Sequence, residues 1–329
     1  MVVLESYPIA VLMCVICMLC WGSWANTQKL ASKDWKFQLF YWDYAIGVLV
    51  LSLIMAFTMG SHGTKGANFL SNVAQATSKT IMLALIGGIV FNISNILLVR
   101  AIDVAGLAVA FPVGVGLALV IGVIQNYIAA PVGNAAMLFT GVAGVVAAII
   151  IDGLAYKKLS GAGQKTAGKG IVLSVLAGVL MGVFYRFVAA SMSENFVVIE
   201  AGKFTPYSAV VFFSIGVLLS NFFWNTKLFT GSPISCGEYL KGSFKLHLIG
   251  ILGGIIWNIG MSFSIIASGQ AGFAISYGLG QGATMVAAFW GVFIWKEFKN
   301  APKGVNPMLA LMFLLYIIGL VLIIAAKLV

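Results

Sequence analysis

A stretch of thirty residues occurs twice. GGIVFNISNILLVRAIDVAGLAVAFPVGVG runs from Gly87 to Gly116. GGIIWNIGMSFSIIASGQAGFAISYGLGQG runs from Gly253 to Gly282, at a constant offset of 166 and without a gap. Gly87, Gly88, Ile89, Asn92, Ile93, Ala105, Gly106, Ala108, Gly114 and Gly116 all recur at the shifted positions. A weaker echo relates AIGVLVLS (Ala45–Ser52) to SIGVLLSN (Ser214–Asn221), at offset 169. Trp21-Gly22 falls opposite Met181-Gly182. The chain reads as two copies of one unit.

What those units are follows from the residues between the repeats. Only 9% of the chain is charged and 61% is hydrophobic, against roughly 25% charged in a soluble domain. Ten apolar runs stand near 7–25, 37–59, 80–101, 105–127, 135–154, 170–190, 204–225, 247–267, 270–295 and 307–327. Each approaches the ~20 residues a membrane helix needs. The runs show no strand-like alternation, and in lipid only a helix or a closed barrel satisfies its own backbone. The expectation is an all-α, polytopic membrane protein of ten transmembrane helices in one transporter domain. The polar linker Lys157–Gly170 divides it into a first five-helix repeat (1–156) and a second (157–329). Because five is odd, equivalent helices cross in opposite senses. That is an inverted repeat, the architecture many transporters use around a central site.

The net charge of +10 has a topological reading rather than a nucleic-acid one. With the N-terminus outside, the cytoplasmic loops hold Lys29, Lys33, Lys36, Arg100, Lys157, Lys158, Lys165, Lys169, Lys227, Lys241, Lys245, Lys296, Lys299 and Lys303. The other side holds Lys65, Lys79, Lys203 and Lys327. The positive-inside rule therefore predicts both termini on the non-cytoplasmic side of a cell (inner) membrane. No cleavable signal peptide is evident. Cys14, Cys17 and Cys20 lie in an apolar run and Cys236 in a loop, which is neither a disulfide framework nor a zinc pattern.

Ionisable groups inside a membrane are costly and mark function or a partner. Asp43, in FYWDYAIG, is a candidate for binding the coupling ion, a proton or Na⁺. Arg186, in VFYRFVAAS, is a candidate substrate contact; the alternative for both is an interfacial charge that snorkels outward. Arg100, Asp103 and Asp152 are read as interfacial. The uncharged polar set comprises Asn92 and its repeat equivalent Asn258, with Asn95, Ser276, Tyr277 and Gln281. Such side chains face the interior and offer donors and acceptors for a neutral ligand, or act as interhelical glue. Trp21 and Trp257 are candidate stacking partners. Trp24, Trp42 and Phe111 share that chemistry, and for the tryptophans near helix ends an interfacial belt is the alternative. Pro112, Gly114, Gly278 and Gly280 occupy matching points of the two copies and are candidate hinges.

GQKTAGK (Gly163–Lys169) matches the start of a phosphate-binding loop. Gly170 stands where Ser or Thr is required, and no strand precedes it. His62 and His247 show no partner. No metal cluster, catalytic triad or paired-carboxylate site is visible, so neither enzymatic activity nor a cofactor is expected. The expected partners are a small-molecule substrate, a proton, the lipid bilayer and no nucleic acid, with the protein a monomer or homodimer.

CWGSWANTQKL, YWDYAIG, GGIVFNISN and GQAGFAISYGLGQGATMVAAFWGVFIWKE together resemble the ureide permease family, within the drug/metabolite transporter superfamily. The last segment is also similar to the bacterial glucose/ribose uptake branch. The resemblance implies a ten-helix inverted repeat and secondary active transport, often proton-coupled, by alternating access. It implies substrates such as allantoin and uracil. Asp43 and the polar residues of the third and ninth helices stand in matching motif positions. Plant members carry a long central cytoplasmic loop, here only the Lys157–Lys169 linker. Symport of a ureide, nucleobase or monosaccharide is therefore expected. A drug or metabolite exporter of the same superfamily is the alternative. A membrane sensor would need a soluble domain for which the short loops leave no room.

Overall fold

A computed structural model describes residues 1–31, 35–160, 168–225 and 234–329. Lys33, Lys165, Lys227 and most of the GQKTAGK stretch lie outside the described residues. Among those described there is no β-strand, apart from one bridge between Met192 and Phe204. Ten helices are long and apolar enough to cross a membrane. They are α1 (Tyr7–Ser23, continued by Ala25–Ala31), α2 (Phe37–Phe57), α3 (Ser78–Ala105), α4 (Leu107–Ala129), α5 (Ala135–Ser160), α6 (Gly168–Ser191), α7 (Pro206–Trp224), α8 (Phe244–Ala271), α9 (Phe273–Gly280, then Ala283–Phe289 and a π turn, Trp290–Ile294) and α10 (Val305–Ala325). The chain is a multi-pass membrane protein.

The repeated stretch keeps one backbone in both copies through its first helix and the turn that follows. α3 and α8 each contain 28 residues. Each is followed by a single glycine, Gly106 at φ 79° and ψ 157° and Gly272 at φ 83° and ψ 152°, after which the next helix begins. That conformation is open to glycine and strained for residues with a Cβ. It turns the chain between helices in one residue. At about 1.5 Å per residue these helices span about 42 Å, longer than the ~30 Å hydrocarbon layer. They extend beyond the runs read from sequence because hydropathy fades before helical geometry does.

Arg100 and Asp103 lie near the end of α3, where they form an exposed ion pair at 3.7 Å. Asp152 lies within α5, which continues to Ser160, and packing leaves the residue only 6% exposed.

By packing, the chain forms two units. The first is Met1–Asn92 with Arg186–Gln270; the second is Ile93–Tyr185 with Ala271–Val329. Each draws one segment from each half of the sequence.

In the first unit, α8 lies along α2. Gly250 faces Phe40 and Asp43, Gly254 faces the Tyr44 carbonyl, and Asn258 donates to the Val48 carbonyl at 2.6 Å. The contacts advance together, so the two helices run in the same direction. α3 lies along α7 in the same manner. Gly88 faces the Phe213 carbonyl and Asn92 donates to the Val217 carbonyl at 3.3 Å. Gly88 and Gly254 are 166 apart, while Tyr44 and Phe213 are 169 apart, as are Val48 and Val217. A Cβ on either glycine would overlap the facing main chain. Small residues bring the backbones together, and asparagines then tie one helix to the other's carbonyls.

In the second unit α5 packs along α10, with Gly141 and Gly144 against Gly319. α4 remains continuous through Pro112. Its counterpart α9 does not. Gly280 ends the first segment, and the N–H of Gly282 bonds to the Leu279 carbonyl at 2.9 Å before Ala283 restarts the helix. The interruption follows Gly278 by two residues rather than falling on it.

Candidate functional site

In the first unit an aromatic set forms around Trp257, which is 4% exposed. Trp21 stacks on it with centroids 5.8 Å apart and planes 14° from parallel. Phe213 stacks on it at 5.9 Å and 17°. Phe91 approaches to 4.5 Å and Tyr44 to 6.2 Å. The indole N–H of Trp21 donates to the Trp257 carbonyl at 3.1 Å, which fixes the first ring against the helix of the second. Tyr44 in turn stacks with Tyr41 at 4.8 Å and meets Trp24 at the same distance.

Phe91 and Trp257 occupy equivalent positions of the repeat, and they touch each other. Residues that contact their own equivalents lie on the relating axis, as in an isologous interface. The surrounding contacts pair in the same way. Tyr44 against Trp257 is matched by Phe213 against Phe91 at 5.6 Å.

Polar atoms border these rings. Asn92, one residue after Phe91, donates its amide N–H to Ser220 Oγ at 2.9 Å, but its Oδ1 has no hydrogen-bond partner. Asn221 donates to the Tyr41 carbonyl at 3.3 Å, and its Oδ1 is likewise unpartnered. The buried Tyr44 hydroxyl also has none. Two amide oxygens and one hydroxyl of this unit are thus buried without a hydrogen-bond partner among the described residues, whereas buried polar groups are nearly always satisfied. Asn258 is spent structurally: its N–H₂ holds Val48, and its Oδ1 receives the Ser262 hydroxyl at 3.5 Å.

The second feature of this unit surrounds Asp43, the seventh residue of α2, which is 0% exposed. Trp35 Nε1 donates to Oδ2 at 3.3 Å, and the Tyr239 hydroxyl donates to Oδ1 at 2.5 Å. His247 Nδ1 lies 2.9 Å from Oδ1 and 3.1 Å from Oδ2. The two rings also pack, Tyr239 edge-on to His247 at 4.6 Å and Trp35 at 5.2 Å. Burial first, and then the bond to Asp43, push the Tyr239 hydroxyl above the usual phenol range, so it stays a donor at physiological pH. Two donors, Trp35 Nε1 and the Tyr239 hydroxyl, and an imidazole nitrogen thus converge on one carboxyl group. Imidazole is the side chain that exchanges protons near neutrality. Outside the cluster, Lys36 pairs with Glu238 at 2.5 Å.

Arg186 is half-buried in this unit and has no hydrogen bond or ion pair to a described residue. Sequence reasoning missed His247 and Tyr239, because partners 204 and 196 residues away leave no local signal, and it missed Trp35, eight residues before Asp43 in the turn that precedes α2. It missed Phe91, Phe213, Tyr44 and Asn221 because each reads as ordinary helix filling.

The second unit holds Asn95, Ser276, Tyr277 and Gln281, all buried. The Tyr277 ring fits against Gly122, and its hydroxyl lies 3.2 Å from the Ala118 carbonyl and 3.1 Å from that of Met181. One proton serves one of these bonds at a time. Ser276 Oγ meets the Tyr185 hydroxyl at 3.0 Å. The candidates thus form two groups: Trp21, Asp43, Asn92, Arg186, Trp257 and Asn258 in the first unit, and Asn95, Ser276, Tyr277 and Gln281, with Pro112, Gly114, Gly278 and Gly280, in the second.

A family model described as Ureide permease matches residues 40–167 and 157–326. Ureide permease 1 of Arabidopsis thaliana is 22% identical over 390 aligned positions, covering 99% of each chain. Ureide permease 2 of the same plant is 22% identical, again over 99% of both. A putative sugar uptake protein of Lactiplantibacillus plantarum is 21% identical over 68% of this chain and 72% of its own. One solved crystal structure aligns over 96% of both chains at 15% identity with a TM-score of 0.60, a likeness of fold.

Proposed function

The chain belongs to the ureide permease family, and from that premise we propose that it is a secondary transporter importing a small neutral oxo-heterocycle, a ureide or nucleobase, together with protons. The observation that carries the reading is the Phe91–Trp257 set with its open polar atoms. A planar ring stacks on Trp257. Its ring N–H groups suit Asn92 Oδ1 and Asn221 Oδ1, and its carbonyl suits the Tyr44 hydroxyl. Site geometry of this kind rejects an analogue without the polar edge, because buried partners would then go unpaired.

Asp43 is the coupling-ion residue of this proposal, with His247 as its proton-exchanging neighbour. Arg186 belongs to the same unit and is a further polar contact of this proposal, while Asn95, Ser276, Tyr277 and Gln281 form a separate polar group within the second unit. The matched contacts at offsets 166 and 169 support an inverted repeat of two five-helix halves, 1–156 and 157–329, working by alternating access. The turn at Gly280–Gly282 is where α9 bends, and Pro112 with Gly114 softens α4. The lysine distribution supports non-cytoplasmic termini in a cell (inner) membrane.

A monosaccharide is the second reading. The sugar uptake relative favours it, and sugars also stack on tryptophan. A thermal-shift screen of the purified protein against ureides, nucleobases and sugars separates the two. Allantoin or uracil should raise the melting temperature in a saturable way, as ligand linkage requires. A shift with sugars alone contradicts the primary reading.

A further inference from the structure

The second unit contains a carboxyl site that the transport proposal does not use. Asp152 on α5 makes no hydrogen bond or ion pair to a described residue, and its Oδ1 is fully buried without a partner. One turn further on, Tyr156 shares its helix face. Helical side chains lean toward the preceding turn, so the Tyr156 hydroxyl lies over the turn that bears Asp152. That hydroxyl donates to Glu297 Oε2 at 2.7 Å, and the Glu297 side chain is open to water.

The backbone holds Glu297 there at a cost. Lys296 stands at φ 54°, in the left-handed region, the one such non-glycine among the described residues. This reversal follows the π turn Trp290–Ile294 and lets the N–H of Glu297 bond to the Gly291 carbonyl at 2.9 Å. Gly291 leaves the notch in which the pair meets: a Cβ there would stand 2.6 Å from the Tyr156 oxygen and 3.0 Å from Glu297 Oε2. A π turn and a strained residue beside a functional group are a recurring combination.

An ionised carboxylate with no partner is not kept in such a place, whereas the neutral acid is tolerated. We propose that Asp152 is a proton-binding site within the membrane, connected to the aqueous face through Tyr156 and Glu297. Proton release moves the Tyr156 hydroxyl proton to Glu297 while the Tyr156 oxygen takes the proton of Asp152 through a bridging water, the two side chains sharing no direct hydrogen bond. Uptake is the reverse, and tyrosine ends each passage unchanged. The other groups at this end are Lys157 and Lys158 on α5, Lys296, Lys299 and Lys303 after α9, and the buried Tyr316 of α10. The first half of α4, Leu107–Leu117, offers no titratable group.

The site is independent of the substrate, so its test needs no transport. Infrared difference spectra of the protein in lipid, taken between neutral and alkaline pH, should show a protonated carboxyl band. The band should disappear in Asp152→Asn, shift in Asp152→Glu and persist in Glu297→Gln. After transfer to D₂O its isotope shift should develop several-fold more slowly in Tyr156→Phe. An unchanged band in Asp152→Asn, or no such band in the native protein, overturns the site. An unchanged exchange rate in Tyr156→Phe overturns the connection.

Discussion

Asp43→Leu is expected to destabilise the protein by about 3–5 kcal/mol, the range seen when one partner of a buried charged group is removed. The leucine fills the volume but accepts nothing. Trp35 Nε1, the Tyr239 hydroxyl and the His247 ring, which all converge on the carboxylate, are then left without an acceptor. Each stranded buried donor costs about 1–3 kcal/mol. The damage should extend between helices, because the cluster ties the start of α2 to the start of α8 and to the short helix Cys236–Tyr239. Asp43→Asn is the informative companion. It keeps the shape and one acceptor oxygen, and so should retain much of the stability while losing gradient-driven uptake. Thermal unfolding in detergent, with uptake measured on the same preparations, checks both. Full stability in Asp43→Leu would contradict the reading of the cluster.

Trp257→Ala is expected to cost about 3–5 kcal/mol, as other buried tryptophan truncations do, and to abolish substrate binding. The ring is the common member of four aromatic contacts, with Trp21, Phe91, Phe213 and Tyr44, and alanine leaves a cavity among them. Trp257→Phe separates the roles. It retains an aromatic filler but removes most of the stacking surface. Substrate should quench tryptophan fluorescence in the native protein and fail to do so in Trp257→Phe. Equal, saturable quenching in both would remove Trp257 from the site.

The membrane class and the ten helices were legible from charge-poor apolar runs, because lipid leaves the backbone few options. The repeat was legible for a related reason. Gly88 and Gly254 admit no side chain against a facing carbonyl, and Gly106 and Gly272 adopt a conformation with few alternatives. Helix ends were less legible. The apolar run read near 135–154 fades close to Asp152, while α5 continues to Ser160. Of the two glycines named as hinge candidates in α9, Gly280 ends the first helical segment and Gly278 lies within it.

The site was half legible. Asp43, Asn92, Trp21 and Trp257 stood out as polar or large residues in apolar surroundings. Their partners did not. His247 resembled a charged helix start beside Lys245, and only packing of α8 along α2 brings it to Asp43. Phe91 gained meaning only from touching its own repeat equivalent, a relation that sequence offset alone does not disclose.

The central claim is that a ureide or nucleobase crosses the membrane with protons. Uptake of labelled allantoin and uracil into vesicles holding the purified protein, with and without an inward proton gradient, tests it most directly. The account predicts accumulation of at least one of them that needs the gradient, collapses with a protonophore and is lost in Trp257→Ala. Uptake of neither compound, or uptake indifferent to the gradient, would contradict it.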